Sequence, residues 1–276
     1  LEQELISNVG LQVNYVHKQG EGYGGWEDIA GTYVQVPYVD SVGTDATGQT
    51  LMLYRLVSNP AERVFLQTNP DGLYMRYNAV AFQVTKRMAD NWQAVFSTVL
   101  SKAEGRLASS ARANPTTAQS SQAGTFGRDA AGPNDYVNTD GRLIGDRPVV
   151  MKLQLTYRLP WSLLVAANLQ HQTGRLYTRQ MRVSGLGFPV APIVNVEANT
   201  GDRRIDPTQL FDVRIQRTFA PAASPMKLEV FLDALNLTNN DVYEGVGSTL
   251  GASSAFGVPT RFVPPRRLQL GAKVRW

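Results

Sequence analysis

Cysteine is absent from this chain, and histidine occurs only twice in 276 residues. The first absence removes disulfide frameworks and thiolate metal sites, and it agrees weakly with an oxidising compartment. The second leaves His17 and His171 as the only imidazoles for acid–base work. Long apolar runs are missing too. None approaches the ~20 residues that a membrane-crossing helix needs, so helical spanning is excluded. Charge of one sign is not in marked excess: the net charge is +4 and the pI about 9.3. Its Lys and Arg are scattered, so no nucleic-acid partner is expected. The opening "LEQELISNVG" has neither the basic start nor the apolar core of a signal peptide. Helical periodicity of useful length is also lacking.

Alternation is what the chain has instead. "VVMKLQLTYRLP" (149–160) sets Val149, Met151, Leu153, Leu155, Tyr157 and Leu159 against Lys152, Gln154, Thr156 and Arg158. "WSLLVAANLQHQ" (161–172) continues with Trp161, Leu163, Val165, Ala167 and Leu169 on one parity. Comparable runs occupy 9–17, 77–87, 92–100, 209–219, 226–237 and 267–276, which makes eight. A period of two places successive side chains on opposite faces of a strand. Almost every charge within the runs lies on the polar parity, with Arg217 as the exception near a run end.

The connections alternate between very short and very long. "RMADN", Pro160 and "APAASP" join some runs, while stretches of roughly 18–73, 104–147, 176–207 and 237–264 join the others. In an antiparallel meander, odd connections fall at one end of the sheet and even ones at the other. One end therefore carries tight turns and the other large loops. Trp92, Trp161 and Trp276 sit at the tight-turn end on the apolar parity, with Tyr157 and Phe219 at the same level. Tyr15, Tyr77 and Tyr177 are placed at the loop end. Aromatics at both rims of an apolar band form the girdle of a transmembrane β-barrel, and only a closed barrel satisfies strand backbones in lipid. The expected fold is all-β: an antiparallel transmembrane barrel segment of about eight strands, with short periplasmic turns and long extracellular loops. The apolar parity then faces lipid. Asp212, Arg214, Glu229 and Asp233, on the other parity, become lumen-facing candidates for a ligand path.

The stretch "LEVFLDALNLTNN…FGVPTRFVPPRRLQLGAKVRW" resembles the last two strands of TonB-dependent outer-membrane receptors, and within them the large Oar-like receptors. "YNAVAFQVTKRMADNWQAVFSTVLSKAEG" is similar to the family's recurring hairpin, and "LEQELISNVGLQVNYVHK" reads as another, with residues 1–5 ending a descending strand. The resemblance implies that residues 1–276 are the C-terminal part of a longer barrel whose plug domain is not in this chain. It implies a receptor in the bacterial outer membrane that binds a small-molecule or peptide ligand on its extracellular loops. Import would proceed by gating of the plug through a periplasmic energy-coupling protein. Lipid and the barrel-assembly machinery are further implied partners. No cofactor is implied. The alternative left by strand number is a self-contained eight-stranded barrel acting as anchor, adhesin or passive pore, since eight is the smallest even number such barrels use.

Catalytic motifs are weak. Both histidines fall on the apolar parity, where an interfacial role is expected over that of a hydrolase base. "VSGLGFP" (183–189) holds a Gly-x-Gly without the strand-to-helix setting that phosphate binding requires. "NTDGRLIGD" (138–146) spaces oxygens like a calcium loop but lacks its bidentate Glu. "NLT" (236–238) matches a glycosylation acceptor that a bacterial outer membrane makes irrelevant. No enzymatic activity is expected. Loop aromatics Tyr23, Trp26, Tyr33, Tyr38 and Tyr243 are candidates either for ligand contact or for packing the loops together.

The closing "RRLQLGAKVRW" alternates without a slip down to Trp276. An in-phase terminal aromatic resembles the signal read by the barrel-assembly machinery. Deleting Trp276 should therefore reduce membrane insertion, measured by fractionation, more than it reduces ligand affinity. Unchanged insertion would overturn that assignment.

Overall fold

The structure is a computed structural model and describes every residue except 44, 107–131, 199 and 222–224, together with all side chains in strands other than those at 25 and 26. In chain order its strands are β1 (Glu2–Ile6), β2 (Val9–Glu21), β3 (Gly25–Asp28), β4 (Tyr33–Val39), β5 (Thr50–Leu56) and β6 (Phe65–Thr68). Then come β7 (Tyr74–Ala89), β8 (Trp92–Arg106), β9 (Asp140–Arg142), β10 (Val149–Leu159), β11 (Leu163–Gln172) and β12 (Gln180–Arg182). The last six are β13 (Ile193–Asn195), β14 (Thr208–Phe219), β15 (Lys227–Leu235), β16 (Tyr243–Val246), β17 (Pro259–Phe262) and β18 (Arg267–Arg275). No α-helix occurs among the described residues.

One antiparallel sheet runs β1-β2-β7-β8-β10-β11-β14-β15-β18, with β9 added beside β8. All eight alternating runs are strands in it, and residues 2–6 supply the ninth. The order follows the chain because each tight turn returns a strand beside its predecessor. Asp90 and Asn91 both take positive φ (51° and 68°) between β7 and β8. That is the two-residue turn whose twist matches the flanking strands, and Asn and Asp tolerate it best. Trp161 and Ser162 also take positive φ (61° and 57°). Trp161 is therefore in the turn after β10, not the first residue of the next strand as its parity suggested, and it stands 81% exposed at the rim.

Register makes the two faces uniform. Leu11, Val84, Phe96, Leu153, Leu169 and Phe211 form one row across six strands. Trp92, Tyr157, Val165, Ile215, Leu232 and Leu270 form another on the same face. Many of these apolar residues are solvent-exposed, Leu268 and Leu270 to 70% and 75%. A one-residue slip would turn the whole set over. The sheet does not close: among the described residues β1 and β18 each have one neighbour and do not pair with each other.

The long connections are not plain loops. They hold four two-stranded sheets, β3-β6, β4-β5, β12-β13 and β16-β17. Together they form a cap with its own core of Leu51, Leu53, Met181, Val183, Leu186, Val194 and Val196, packed with Val36, Tyr38, Val137 and Phe188. The middle of the second connection, 107–131, lies outside the described residues. Such loops can be long because they bury apolar surface against one another, which offsets their ordering entropy.

A single ion pair ties three of these connections. Arg179, before β12, donates from Nη1 to Asp40 Oδ1 at 2.8 Å and from Nη2 to the Val42 carbonyl at 2.8 Å. Both side chains are about completely buried, at 0% and 1% exposure. Asp40 Oδ2 accepts from the Thr47 amide (2.9 Å) and hydroxyl (3.1 Å). The fourth long connection joins them through Gly251, whose missing Cβ leaves the room that the Arg179 guanidinium fills. Gly43, at φ +90°, lies directly on the Gly251 backbone. Replacing one partner of such a pair leaves a buried charge uncompensated, at a cost of about 3–5 kcal/mol. Arg179→Met should thus open the cap to proteolysis and amide exchange while strands β7 to β11 keep their protection. Adding Asp40→Asn should recover part of the loss. An unchanged exchange pattern in Arg179→Met would refute the clamp.

Candidate functional site

The ladder brings the four polar-parity candidates onto one face of the sheet. Asp212 stands opposite Asn168, Arg214 opposite Asp233, and Glu229 between Thr218 and Lys273. Arg214 grips Asp233 with two parallel bonds, Nε to Oδ1 at 2.6 Å and Nη2 to Oδ2 at 2.7 Å. Paired forks of this kind are the strongest side-chain contacts available to a carboxylate. Asp212 accepts from Asn168 Nδ2 (3.2 Å) and from the Asn236 amide (2.8 Å), and Glu229 pairs with Arg275 (3.2 Å). All four candidates are therefore engaged with neighbouring residues, forming a polar surface of alternating sign.

Phe231 is an aromatic on this polar face, sharing the parity of Glu229 and Asp233. Its ring lies over Gly271 of β18, in space that a Cβ there would fill, and the Arg214 guanidinium stacks 4.4 Å from its centroid. The available signal was the glycine directly opposite it. An aromatic covering a strand glycine restores the packing that the glycine forfeits.

On the apolar face, Trp92 pairs directly with Tyr157, and Phe219 pairs with Leu228. Trp276 follows β18 at 92% exposure. Arg217, the charge expected on this face, lies with its guanidinium 4.8 Å from the Phe219 ring. Lys86 is a second such charge, two residues after Val84 and so on the apolar parity of its run. It pairs with Val9 and Ala94, sits 4.2 Å over the Trp92 ring and donates to the Ala89 carbonyl at 3.0 Å. Both cations are at the tight-turn rim, where long side chains can keep their charged ends out of an apolar layer. The opposite rim is thinner than expected. Tyr15 is on the apolar face, but Tyr77 pairs with Lys18 and Ala103 on the polar one. Tyr177 belongs to the cap, edge-on to Phe256 at 6.4 Å.

The remaining motifs resolve into structural contacts. His17 Nδ1 lies 2.7 Å from Asn78 Oδ1, which also accepts from the Tyr15 hydroxyl at 3.1 Å. His171 stands between Met151 and Gln209. Gly187, at φ +77°, packs on the Leu56 carbonyl, and the Leu56 amide donates to the Leu186 carbonyl at 2.8 Å. Asp140 accepts from the Tyr74 hydroxyl at 2.7 Å. Asp146 takes the Ala103 amide (2.7 Å), Arg204 (2.6 Å) and Arg142 (3.3 Å). No group of three or more potential metal-ligating residues is found among the described residues. The Asn236 side chain of "NLT" is buried and bonded to the Asn240 and Pro264 carbonyls, both at 2.9 Å.

Loop aromatics mostly pack the cap. Tyr33 stacks on Phe188 with centroids 6.0 Å apart, and Tyr38 covers the cap core. The side chain of Trp26 lies outside the described residues. Beside Tyr38, a cavity of about 340 Å³ opens between Tyr38–Val42, Met181–Arg182 and Leu250–Ser253.

Two buried carboxylates give the cap opposite responses to pH. Burial raises the Asp28 pKa, but the Arg63 guanidinium at 2.7 Å, the Tyr33 hydroxyl and the Gly31 and Ala30 amides outweigh it and hold the carboxyl at about 2. Burial pushes Asp135 up to about 8, against the pull of the Gly132 amide and Arg63. Tyr33 itself rises to about 12, through burial and its bond to Asp28.

Comparison with known proteins returned structural likenesses only. No protein-family model and no curated protein matches this chain. The outer-membrane transporter YddB from Escherichia coli aligns over 98% of this chain and 31% of its own, at 14% identity and a TM-score of 0.48. The ferripyoverdine receptor of the outer membrane of Pseudomonas aeruginosa, bound to ferripyoverdine, aligns over 97% and 27%, at 12% identity and 0.42. The ferric-catecholate import receptor Fiu from Escherichia coli K12 aligns over 98% and 33%, at 13% identity and 0.43. The chain thus spans about a third or less of the length of these proteins.

The pH response follows from the signs. Asp28, with its pKa depressed, stabilises the cap above its unfolded value near 3.8, and that contribution is lost as pH falls toward about 2. Asp135, with its pKa raised, contributes stability below 3.8 that is lost as pH rises through about 8. Asp135→Asn should therefore match the wild type near pH 4 and exceed it near pH 9 by several kcal/mol, as the rise from 3.8 to about 8 implies. Cap amide exchange at the two pH values measures it, and equal protection in both proteins at high pH would exclude the effect.

Proposed function

We propose that this chain is barrel wall and extracellular cap of a TonB-dependent outer-membrane receptor. The carrying observation is the exposed apolar face itself. Leu153, Leu155, Leu228, Leu232, Leu268 and Leu270 are among its exposed residues, and it spans all the long strands. Soluble monomers rarely leave more than a few hundred Å² of contiguous apolar surface uncovered. Lipid is the solvent in which such a face is stable, provided every backbone group is paired within the sheet. β10 and β11 have 11 and 10 residues, close to the ~9–11 that a tilted membrane strand needs.

In this reading the polar face with Asp212, Arg214, Glu229 and Asp233 lines the lumen, and the cap faces outward to meet a ligand. Trp92, Tyr157, Trp161, Phe219 and Trp276 mark the periplasmic interface. Import would depend on a plug and an energy-coupling partner elsewhere in the system, without covalent chemistry in this chain. Among the described residues β1 and β18 do not pair with each other, which weighs against the self-contained eight-stranded barrel, whose first and last strands must meet.

Parity on one strand tests the reading. Leu155→Arg would place a charge on the lipid face, costing about 2–4 kcal/mol near the midplane. Gln154→Arg, one residue away, would place the same charge in the lumen. In the full-length protein, Leu155→Arg should lower the amount of heat-modifiable, folded protein in the outer-membrane fraction, and Gln154→Arg should not. The reverse pattern, or equal effects, would sink the assignment.

A further inference from the structure

We propose that the cavity between the first, third and fourth long connections binds a small amphipathic carboxylate, an apolar body ending in one anionic group. The inference rests on the receptor reading only in taking the cap as ligand-facing. Its geometry stands on its own. The volume of about 340 Å³ is at the lower end of the range for small-molecule sites.

The walls are mostly apolar: Tyr38, Val42 and Met181 among them, with Leu250 and Ala252 across from the β4 end. Val39 and Val42 are 48% and 66% exposed, so apolar surface is left uncovered at the opening. The chain could have closed this space with side chains, as it does in the neighbouring core. Instead, Asp40 of the Asp40–Arg179 ion pair lines it, and the Gly43–Gly251 backbone contact lies next in the chain to lining residues Val42, Leu250 and Ala252. Three connections meet there through groups that are already satisfied, which makes the cavity pre-formed and limits the ordering cost of binding.

Charge sets the ligand's sign. Besides Tyr38, two lining residues carry ionisable side chains, Asp40 and Arg182. Asp40 is neutralised by Arg179 and bonded to Thr47 on its other oxygen. Arg182 is exposed, and among the described residues its side chain makes one long bond, Nη1 to the Ala191 carbonyl at 3.4 Å. Its remaining donors suit a carboxylate, which a guanidinium can hold with two bonds. The Ser41 and Ser253 hydroxyls add neutral polar positions at the same opening. An apolar cavity with one cationic edge selects a molecule of matching polarity over a neutral one, because burying the apolar body supplies affinity and the ion pair supplies orientation.

The test uses full-length protein in lipid nanodiscs, with 4-phenylbutanoate as probe and 4-phenylbutanamide as its neutral match, read by calorimetry or saturation-transfer NMR. The acid should bind about tenfold more tightly than the amide. Arg182→Gln should remove that preference, leaving amide binding as it was, and Val42→Asn should weaken both. Heat-modifiability of each variant checks that it has folded. No binding by the wild type, equal affinity for acid and amide, or an acid preference that survives Arg182→Gln would each overturn the inference. Protease accessibility of the cap in whole cells separates the two levels. A surface-exposed cap that fails to bind the acid refutes this site and leaves the receptor reading standing, whereas a cap hidden from external protease refutes the receptor reading.

Discussion

Everything in this protein depends on the register of one antiparallel ladder. Side chains alternate with period two, so each pairing decides which face receives the apolar set. Across β2, β7, β8, β10, β11 and β14 the row from Leu11 to Phe211 stays on one face without a break. The same ladder lines up Arg214 with Asp233 and Glu229 with Lys273 on the other. Backbone pairing thus sorts a sequence of modest overall hydrophobicity into one surface fit for lipid and one fit for water.

The cap is built by different physics. Its connections have no extended ladder to organise them, so they are held by a small apolar core and by buried polar groups bonded across the connections; among the described residues, Asn240 Oδ1 is a buried side-chain oxygen left without a partner. Gln180 shows the pattern: its side chain bonds Asn195 Oδ1 and the Thr249 hydroxyl, both at 2.9 Å, and its backbone bonds Thr249 and Gly251. Buried polar networks stabilise only when every member is satisfied, and they then impose one arrangement on the loops. That is the reason for glycines at 43, 187 and 251, where backbone or guanidinium must approach more closely than a Cβ permits. Specificity of loop packing comes from these contacts more than from the apolar core.

Much of the sheet could be read from residues alone. All eight alternating runs are strands, and the alternation of short and long connections places the turns at one end. Trp92 and Tyr157 are where parity put them. Parity carried past a turn misplaces Trp161, whereas Tyr77, Lys86 and Phe231 lie on the faces that parity assigns them. Trp161 continued the pattern of its run, but two positive φ values put it outside the strand. Tyr77 and Tyr177 looked like rim aromatics, yet one lies on the polar face and the other in the cap. Lys86 sits beside the irregularity between Lys86 and Ala89, and its partnership with Trp92 depends on that local geometry. Phe231 has the parity of the polar face in the sequence, but its packing on Gly271, forty residues away, is decided only by the strand pairing.

The sequence by itself determined the strands, their two faces and the end at which the loops gather, because these follow from local alternation and turn chemistry. Only the tertiary structure decided what the loops become. Asp40, Arg179 and Gly251 come from three connections, and their residue types carry no mark of one another. Their meeting is a long-range event, fixed by desolvation of an ion pair and by the absence of a Cβ. The open cavity beside them, with Arg182 at its edge, is a consequence of that meeting.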